Sequence, residues 1–192
     1  HAIKAHDSII LGGVKDLGSF NLSSTETDGT CIRVDEDNEA ATPVYGNAET
    51  DDDIAGIEIK DGVYAISSKG NAISSEAHVY MEGGSGSVSS SSGKGIKSEL
   101  DLFIDGGDFS VKTPSDDCIH SSAGALTANG GTYVLTTGTS SGCQGLKAET
   151  TVAINDGNFT ITASYEGIAA HKISVSGGTT SVSASDDGWS AG

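Results

Sequence analysis

The sequence predicts an all-β fold, a right-handed parallel β-helix with three short strands per coil of about 22 residues. Three observations carry that reading. A glycine followed four residues later by a β-branched residue recurs at Gly62/Ile66, Gly84/Val88, Gly107/Val111, Gly130/Val134, Gly157/Ile161 and Gly178/Val182, at intervals of 22, 23, 23, 27 and 21 residues. A second column, Ile73, Ile96, Ile119, Leu146, Ile168 and Trp189, drifts along the chain in step with the first. Between the columns, segments such as "LDLFIDGGDFSVKT" alternate with period two and break at Gly-Gly, which is strand patterning and not helix patterning.

The chain opens with "HAIKAHDSIILGG", which fits a first strand with Ile3 in the inward column. Residues 35–56 carry eight carboxylates, break the pattern and read as an acidic surface insertion from one turn. From residue 57 onward each repeat reads as three strands, for example "GIKSE", "LDLFI" and "DFSVK", with Asp105-Gly106-Gly107 turning between the last two. Glycine at such turns gives positive φ without a Cβ clash. Leucine-rich repeats share the period, but their Leu-x-x-Leu-x-Leu consensus is absent. The expectation is a single β-helix domain over residues 1–192.

Ten Lys and Arg stand against 27 Asp and Glu in 192 residues, a formal net charge of −17. Such acidity repels phosphates and argues against nucleic acid or an anionic membrane surface as partner. No apolar run reaches the roughly 18 residues of a transmembrane helix. The three cysteines, Cys31, Cys118 and Cys143, show no zinc spacing. Cys118 and Cys143 fall in adjacent coils near one corner, where a disulfide is possible.

In a β-helix, equivalent residues stack about 4.8 Å apart, so sequence offsets become ladders. One position after the inward apolar residue come Ser74, Lys97, His120, Lys147 and Ala169. Three positions after it come Glu76, Glu99, Ser122, Glu149 and His171. Two positions before it come Asn71, Lys94, Asp117, Gln144, Glu166 and Asp187. Stacked carboxylates such as Glu76 over Glu99, or Glu166 over Asp187, repel unless a cation bridges them. Calcium suits such oxygens. The candidate metal ligands are therefore Asp116, Asp117, Gln144, Glu166, Asp186, Asp187, Glu76, Glu99 and Glu149. Ordinary turn chemistry is the alternative for the doubled aspartates. Lys97, His120, Lys147 and His171 are candidate carbohydrate contacts, the alternative being a solvated face with Lys–Glu cross-ladder pairs.

The segments "KGIKSE", "SDDCIHS", "GLKAE", "YEGIAAH", "VSGGTTSVSASDDG" and the terminal "SDDG" together resemble a group of secreted bacterial carbohydrate-binding proteins with a pectate-lyase-like β-helix that bind calcium. The resemblance covers residues 57–192 well and 1–34 loosely. It implies calcium on the Asp-Asp and Glu positions, polysaccharide along the outer face, an extracellular location and no established lyase chemistry. Cys118 stands where that pattern has Gly, Gln144 where it has an acid, and Trp189 where it has a small or polar residue.

Three functions follow as expectations. The first is a non-catalytic, calcium-dependent module for acidic, pectin-like or other cell-wall polysaccharide. The second is a protomer of an extracellular filament: the chain begins and ends at nearly the same phase of a coil, so that copies could stack end to end. The third is a polysaccharide lyase using Lys97 or Lys147 as base, which would also want an arginine, whereas the one arginine, Arg33, falls in the irregular region.

Overall fold

The computed structural model describes residues 1–13, 18–35 and 55–192. Apart from Asp35, Ala55 and Gly56, the acidic insertion expected at residues 35–56 lies outside the described residues. Every regular element among the described residues is a strand.

The strands stack into faces running the length of a parallel β-solenoid. Face one is an 8-stranded sheet. Its strands are Ile3–Ala5, Ile32–Val34, Ile73–Ser75, Ile96–Ser98, Ile119–Ser121, Gln144–Ala148, Glu166–Ala170 and Trp189–Ala191. Faces two and three form one 12-stranded sheet, because the strands Leu126–Thr137 and Thr151–Ala163 run unbroken around the corner that glycine turns interrupt in the other coils. The "GIKSE", "LDLFI" and "DFSVK" segments become Ile96–Ser98, Leu102–Ile104 and Asp108–Thr113, one strand on each face.

The inward column of face one is in register throughout: Ile3, Ile32, Ile73, Ile96, Ile119, Leu146, Ile168 and Trp189 are successive partners. Ile73 through Ile168 in this column are fully buried, whereas Trp189 in the last described coil is half exposed. On face three the inward column is Ile66, Val88, Val111, Leu135, Ile161 and Val182. This corrects one predicted pair. Gly131 takes positive φ (87°) and Leu135 is buried, while Val134 faces out at 38% exposure. Of the two glycines in Asn129-Gly130-Gly131, the second makes the turn, which shifts the alternation by one residue and turns Val134 outward.

Two further inward ladders tie the coils together. Phe20 and Tyr64 stack at 5.1 Å between ring centroids, Phe109 and Tyr133 follow at 5.9 Å, and Tyr133 and Phe159 at 5.5 Å. In the coil between Tyr64 and Phe109 the position belongs to Gly86, whose Cβ would lie 1.9 Å from the Tyr64 carbonyl oxygen. The two rings still meet across it at 6.1 Å. At the corner between faces one and two, Ser75, Ser98 and Ser121 are fully buried. Ser98 and Ser121 Oγ both donate to the Leu100 carbonyl, and Ser75 Oγ accepts the Ala77 N–H, so buried backbone groups at the bend are satisfied.

Candidate functional site: the charged face and its corner

Face one presents outward the side chains that alternate with its buried column. The partner pairs Lys97–Ser74, Lys97–His120, His120–Lys147 and Lys147–Ala169 place the predicted outward column as a ladder. The ladder extends further than the repeat pattern indicated, since Arg33 pairs with Ser74 and Lys4 with Arg33. Arg33 is therefore not in an irregular region. It stands in the same column as Lys97 and Lys147, displaced along the sequence because residues 36–54 intervene. In a chain of net charge −17, this outward column gathers four cations, Lys4, Arg33, Lys97 and Lys147, with the imidazole of His120 between the last two.

The acids two residues further along each strand neutralise part of that column. Lys4 Nζ lies 2.5 Å from Asp35, Arg33 pairs with Asp35 and donates to Glu76 Oε1 at 2.7 Å, and Lys97 Nζ donates to Glu99 Oε2 at 2.9 Å. The hydrogen bond from Lys4, and after it the hydrogen bond and charge of Arg33, hold the Asp35 carboxyl below the usual range. Glu76 and Glu99, expected as stacked calcium ligands, are thus each paired with a cation of the ladder. Glu149 and His171 are exposed. Lys147 differs from its neighbours: among the described residues it has no ion-pair partner.

The corner from which face one begins carries the column Asn71, Lys94, Asp117, Gln144, Glu166 and Asp187. Its side chains cap the backbone of the next coil, with Asn71 Oδ1 accepting the Lys94 N–H and Asp117 Oδ1 accepting the Gln144 N–H, both at 2.9 Å. Asp117 is only 1% exposed, and its other oxygen lies 2.7 Å from His120 Nδ1 and 3.2 Å from Lys94 Nζ. Lys94 also donates to Asp116 Oδ1 at 2.5 Å. Burial would raise the Asp117 carboxyl, but the close His120 ring nitrogen and the Lys94 charge outweigh it and hold it below its ordinary value. Burial likewise pulls Lys94 down, and Asp117 and Asp116 together outweigh that and hold it above.

Further along the column the charges are open. Gln144 is buried and its Nε2 donates to Glu166 Oε2 at 2.7 Å, while its Oε1 is buried without a hydrogen-bond partner. Glu166 and Asp187 belong to successive coils, joined by the Gly167 N–H donating to the Asp187 carbonyl at 3.0 Å. Neither has an ion-pair partner among the described residues, and Asp186 and Asp187 are exposed. Among the described residues no three His, Cys, Asp or Glu side chains converge as a ready-made metal site.

The possible Cys118–Cys143 disulfide is not formed, and both thiols are buried and free. The residue beside Cys118 in the next coil is Gly145, two positions past Cys143, since Ile119 pairs with Leu146. Burial pushes the Cys118 thiol up to about 12, which removes it from thiolate chemistry.

Sequence reasoning missed two polar groupings. At the corner where face two turns into face three, Asn129 Nδ2 donates to Asp105 Oδ1 at 2.7 Å, Asn155 Nδ2 to Asn129 Oδ1 at 2.8 Å and Ser176 Oγ to Asn155 Oδ1 at 3.1 Å, a polar ladder across four coils. On face two, in the second coil, Glu58 is 2% exposed, and burial, with Glu82 close by, raises its carboxyl to about 7 despite Lys60 Nζ at 3.2 Å from Oε1.

A family model described as carbohydrate-binding domain-containing protein matches residues 1–142 and 135–188, nearly the whole chain. No curated protein and no solved structure matches it.

Proposed function

The chain belongs to the carbohydrate-binding domain-containing proteins, and on that premise we propose that it is a non-catalytic, extracellular bacterial module that holds an acidic polysaccharide along face one. The observation that carries this reading is the column of Lys4, Arg33, Lys97 and Lys147, with His120 among them, which the solenoid assembles on a chain otherwise dominated by carboxylates. Its rungs recur every ~4.8 Å, a spacing on the scale of one sugar ring. Lys147 supplies an ammonium free to meet a uronate carboxylate, and His120, whose Nδ1 lies 2.7 Å from Asp117, adds a ring nitrogen that could meet hydroxyls.

Calcium belongs to this reading at the far end of the corner column, beyond Gln144. Gln144 Oε1, Glu166 and Asp187 are the oxygens there that no cation neutralises, and a buried amide oxygen without a partner suits a hard cation. Calcium takes six to eight oxygens, so two carboxylates and one amide leave positions for uronate oxygens. When bound there, the ion would bridge protein and polymer carboxylates.

Lyase chemistry draws less support. The arginine it would want is on face one, but Arg33 is engaged by Asp35 and Glu76.

Affinity electrophoresis tests the proposal. The protein should be retarded in gels containing polygalacturonate, less so with EDTA, and not in gels of neutral glucan. Equal migration in all gels, with and without calcium, would sink it.

A further inference from the structure

The resemblance drawn from "SDDCIHS" implies calcium at Asp116 and Asp117, and the side chains around them do not fit a metal. Asp117 Oδ1 accepts the Gln144 N–H at 2.9 Å, and Oδ2 faces both His120 Nδ1 at 2.7 Å and Lys94 Nζ at 3.2 Å. Asp116 Oδ1 accepts Lys94 Nζ at 2.5 Å and the Asp117 N–H at 2.8 Å. The Asp116 carbonyl, a further oxygen of the kind calcium would use, accepts Thr113 Oγ1 at 2.6 Å and Thr137 Oγ1 at 2.5 Å. A divalent ion here would have to evict an ammonium whose side chain is 19% exposed, leaving that ammonium beside a metal of like charge.

Lys94 reaches the pair from the preceding coil. It occupies in that coil the position Asp117 occupies in its own, so the solenoid itself stacks cation on anion. Its ammonium lies within reach of both carboxylates, where a bridging ion would otherwise be needed to offset their repulsion.

We propose that the Lys94 ammonium takes the cation position of this corner, so that the Asp116–Asp117 turn and the His120 it orients are independent of divalent metal. The inference does not rest on the calcium reading of Glu166 and Asp187, and it concerns a different coil.

The experiment starts from a Glu166→Gln/Asp187→Asn background, which removes the open carboxylates, and compares melting temperatures in EDTA and in excess calcium chloride. Any metal response left in that background should be unchanged by Asp117→Asn. Adding Lys94→Gln to the background should lower the melting temperature in EDTA, with calcium recovering part of the loss and Asp117→Asn abolishing the recovery. Lys94→Arg, which keeps a cation, should gain no metal response.

Two results would overturn the inference. One is a calcium response in the background that disappears on Asp117→Asn, which would place metal on Asp117 with Lys94 present. The other is a Lys94→Gln protein that melts at the same temperature in EDTA and calcium, which would mean that the ammonium stands in for nothing. If Lys94→Gln does not fold, the first comparison decides alone.

Discussion

At Asp117 the corner column carries a carboxylate that is 1% exposed and enclosed by Lys94, His120 and the Gln144 N–H, whereas Glu166 and Asp187, in the coils beyond Gln144, carry carboxylates with no ion-pair partner among the described residues. Both stretches belong to one ladder and one strand start. They differ in what the neighbouring coil supplies: Lys94 above Asp117, but Gln144 above Glu166 and another acid, Asp187, beneath it. The same backbone position is therefore a closed structural ion pair in one half of the solenoid and an open acidic site in the other. Stacking decides which, because a ladder residue meets its counterparts one coil away at about 4.8 Å.

The comparison breaks most sharply under truncation. Asp117→Ala leaves the Lys94 charge partly unpaired in a confined setting and removes the acceptor of the Gln144 N–H. It should cost about 3–5 kcal/mol in chemical denaturation. Glu166→Ala should cost under about 1 kcal/mol. Similar losses for the two variants would mean that the two halves of the corner do not differ.

Metal should separate the halves next. Calcium bound only to the folded protein adds about 2.7 kcal/mol at a hundredfold excess over Kd. On the calcium reading, wild-type protein should melt higher in calcium than in EDTA, and Glu166→Gln/Asp187→Asn should remove most of the difference. Identical melts of the wild type in both buffers would leave the open acids as solvated turn residues.

A pH titration sharpens the contrast between a neutralised and a strained buried carboxyl. Glu58 is raised to about 7 in the folded chain, by burial first and by Glu82 second. A carboxyl raised on folding favours the protonated form, so its contribution is fully present below the unfolded value near 4.3 and is lost as pH climbs through about 7. Asp117 is lowered, so its contribution is present above the unfolded value near 3.9 and is lost as pH falls below it. Between pH 5 and 8, then, Asp117 contributes no slope while Glu58 makes the protein less stable as pH rises. Glu58→Gln should flatten that slope by about 1–3 kcal/mol, measured as the difference from wild type across the range. An unchanged slope would show that Glu58 does not titrate there.

The smallest effect tests the ladder as a binding surface. Lys147→Ala should weaken retention by polygalacturonate about tenfold, or ~1.4 kcal/mol. Lys97→Ala should weaken it less, because that ammonium already serves Glu99 at 2.9 Å. A larger loss at Lys97 would reverse the assignment of the free cation.

Much of the solenoid was legible in the residues. The inward column of face one pairs as its spacing implied, from Ile73 to Trp189, and Ile3 stands in it as expected. Ile32 and Arg33 were missed because the segment between them and Ile73 destroys the local period, leaving no repeat to count against. The aromatic ladder had a visible signal: Tyr64, Phe109, Tyr133 and Phe159 each lie two residues before the inward apolar residue of their coil. Lys94 stands one coil ahead of Asp117 in the same column, but column spacing alone does not say that its side chain reaches across to Asp116.

The sequence by itself determined the coil and, where the repeat runs unbroken, the inward and outward columns, because glycine turns and period-two alternation are local and repeat. Tertiary structure alone decided which charges are satisfied. That outcome depends on long side chains reaching across coils, as Lys94 does to Asp116 and Arg33 to Glu76. One register detail was likewise settled only by the tertiary structure: Gly131 and not Gly130 makes the turn, which puts Leu135 inward and Val134 outward. The spacing of identical turns fixes a ladder's rungs, but the rotamers and burial of neighbouring coils fix whether a rung is a closed ion pair or an open site.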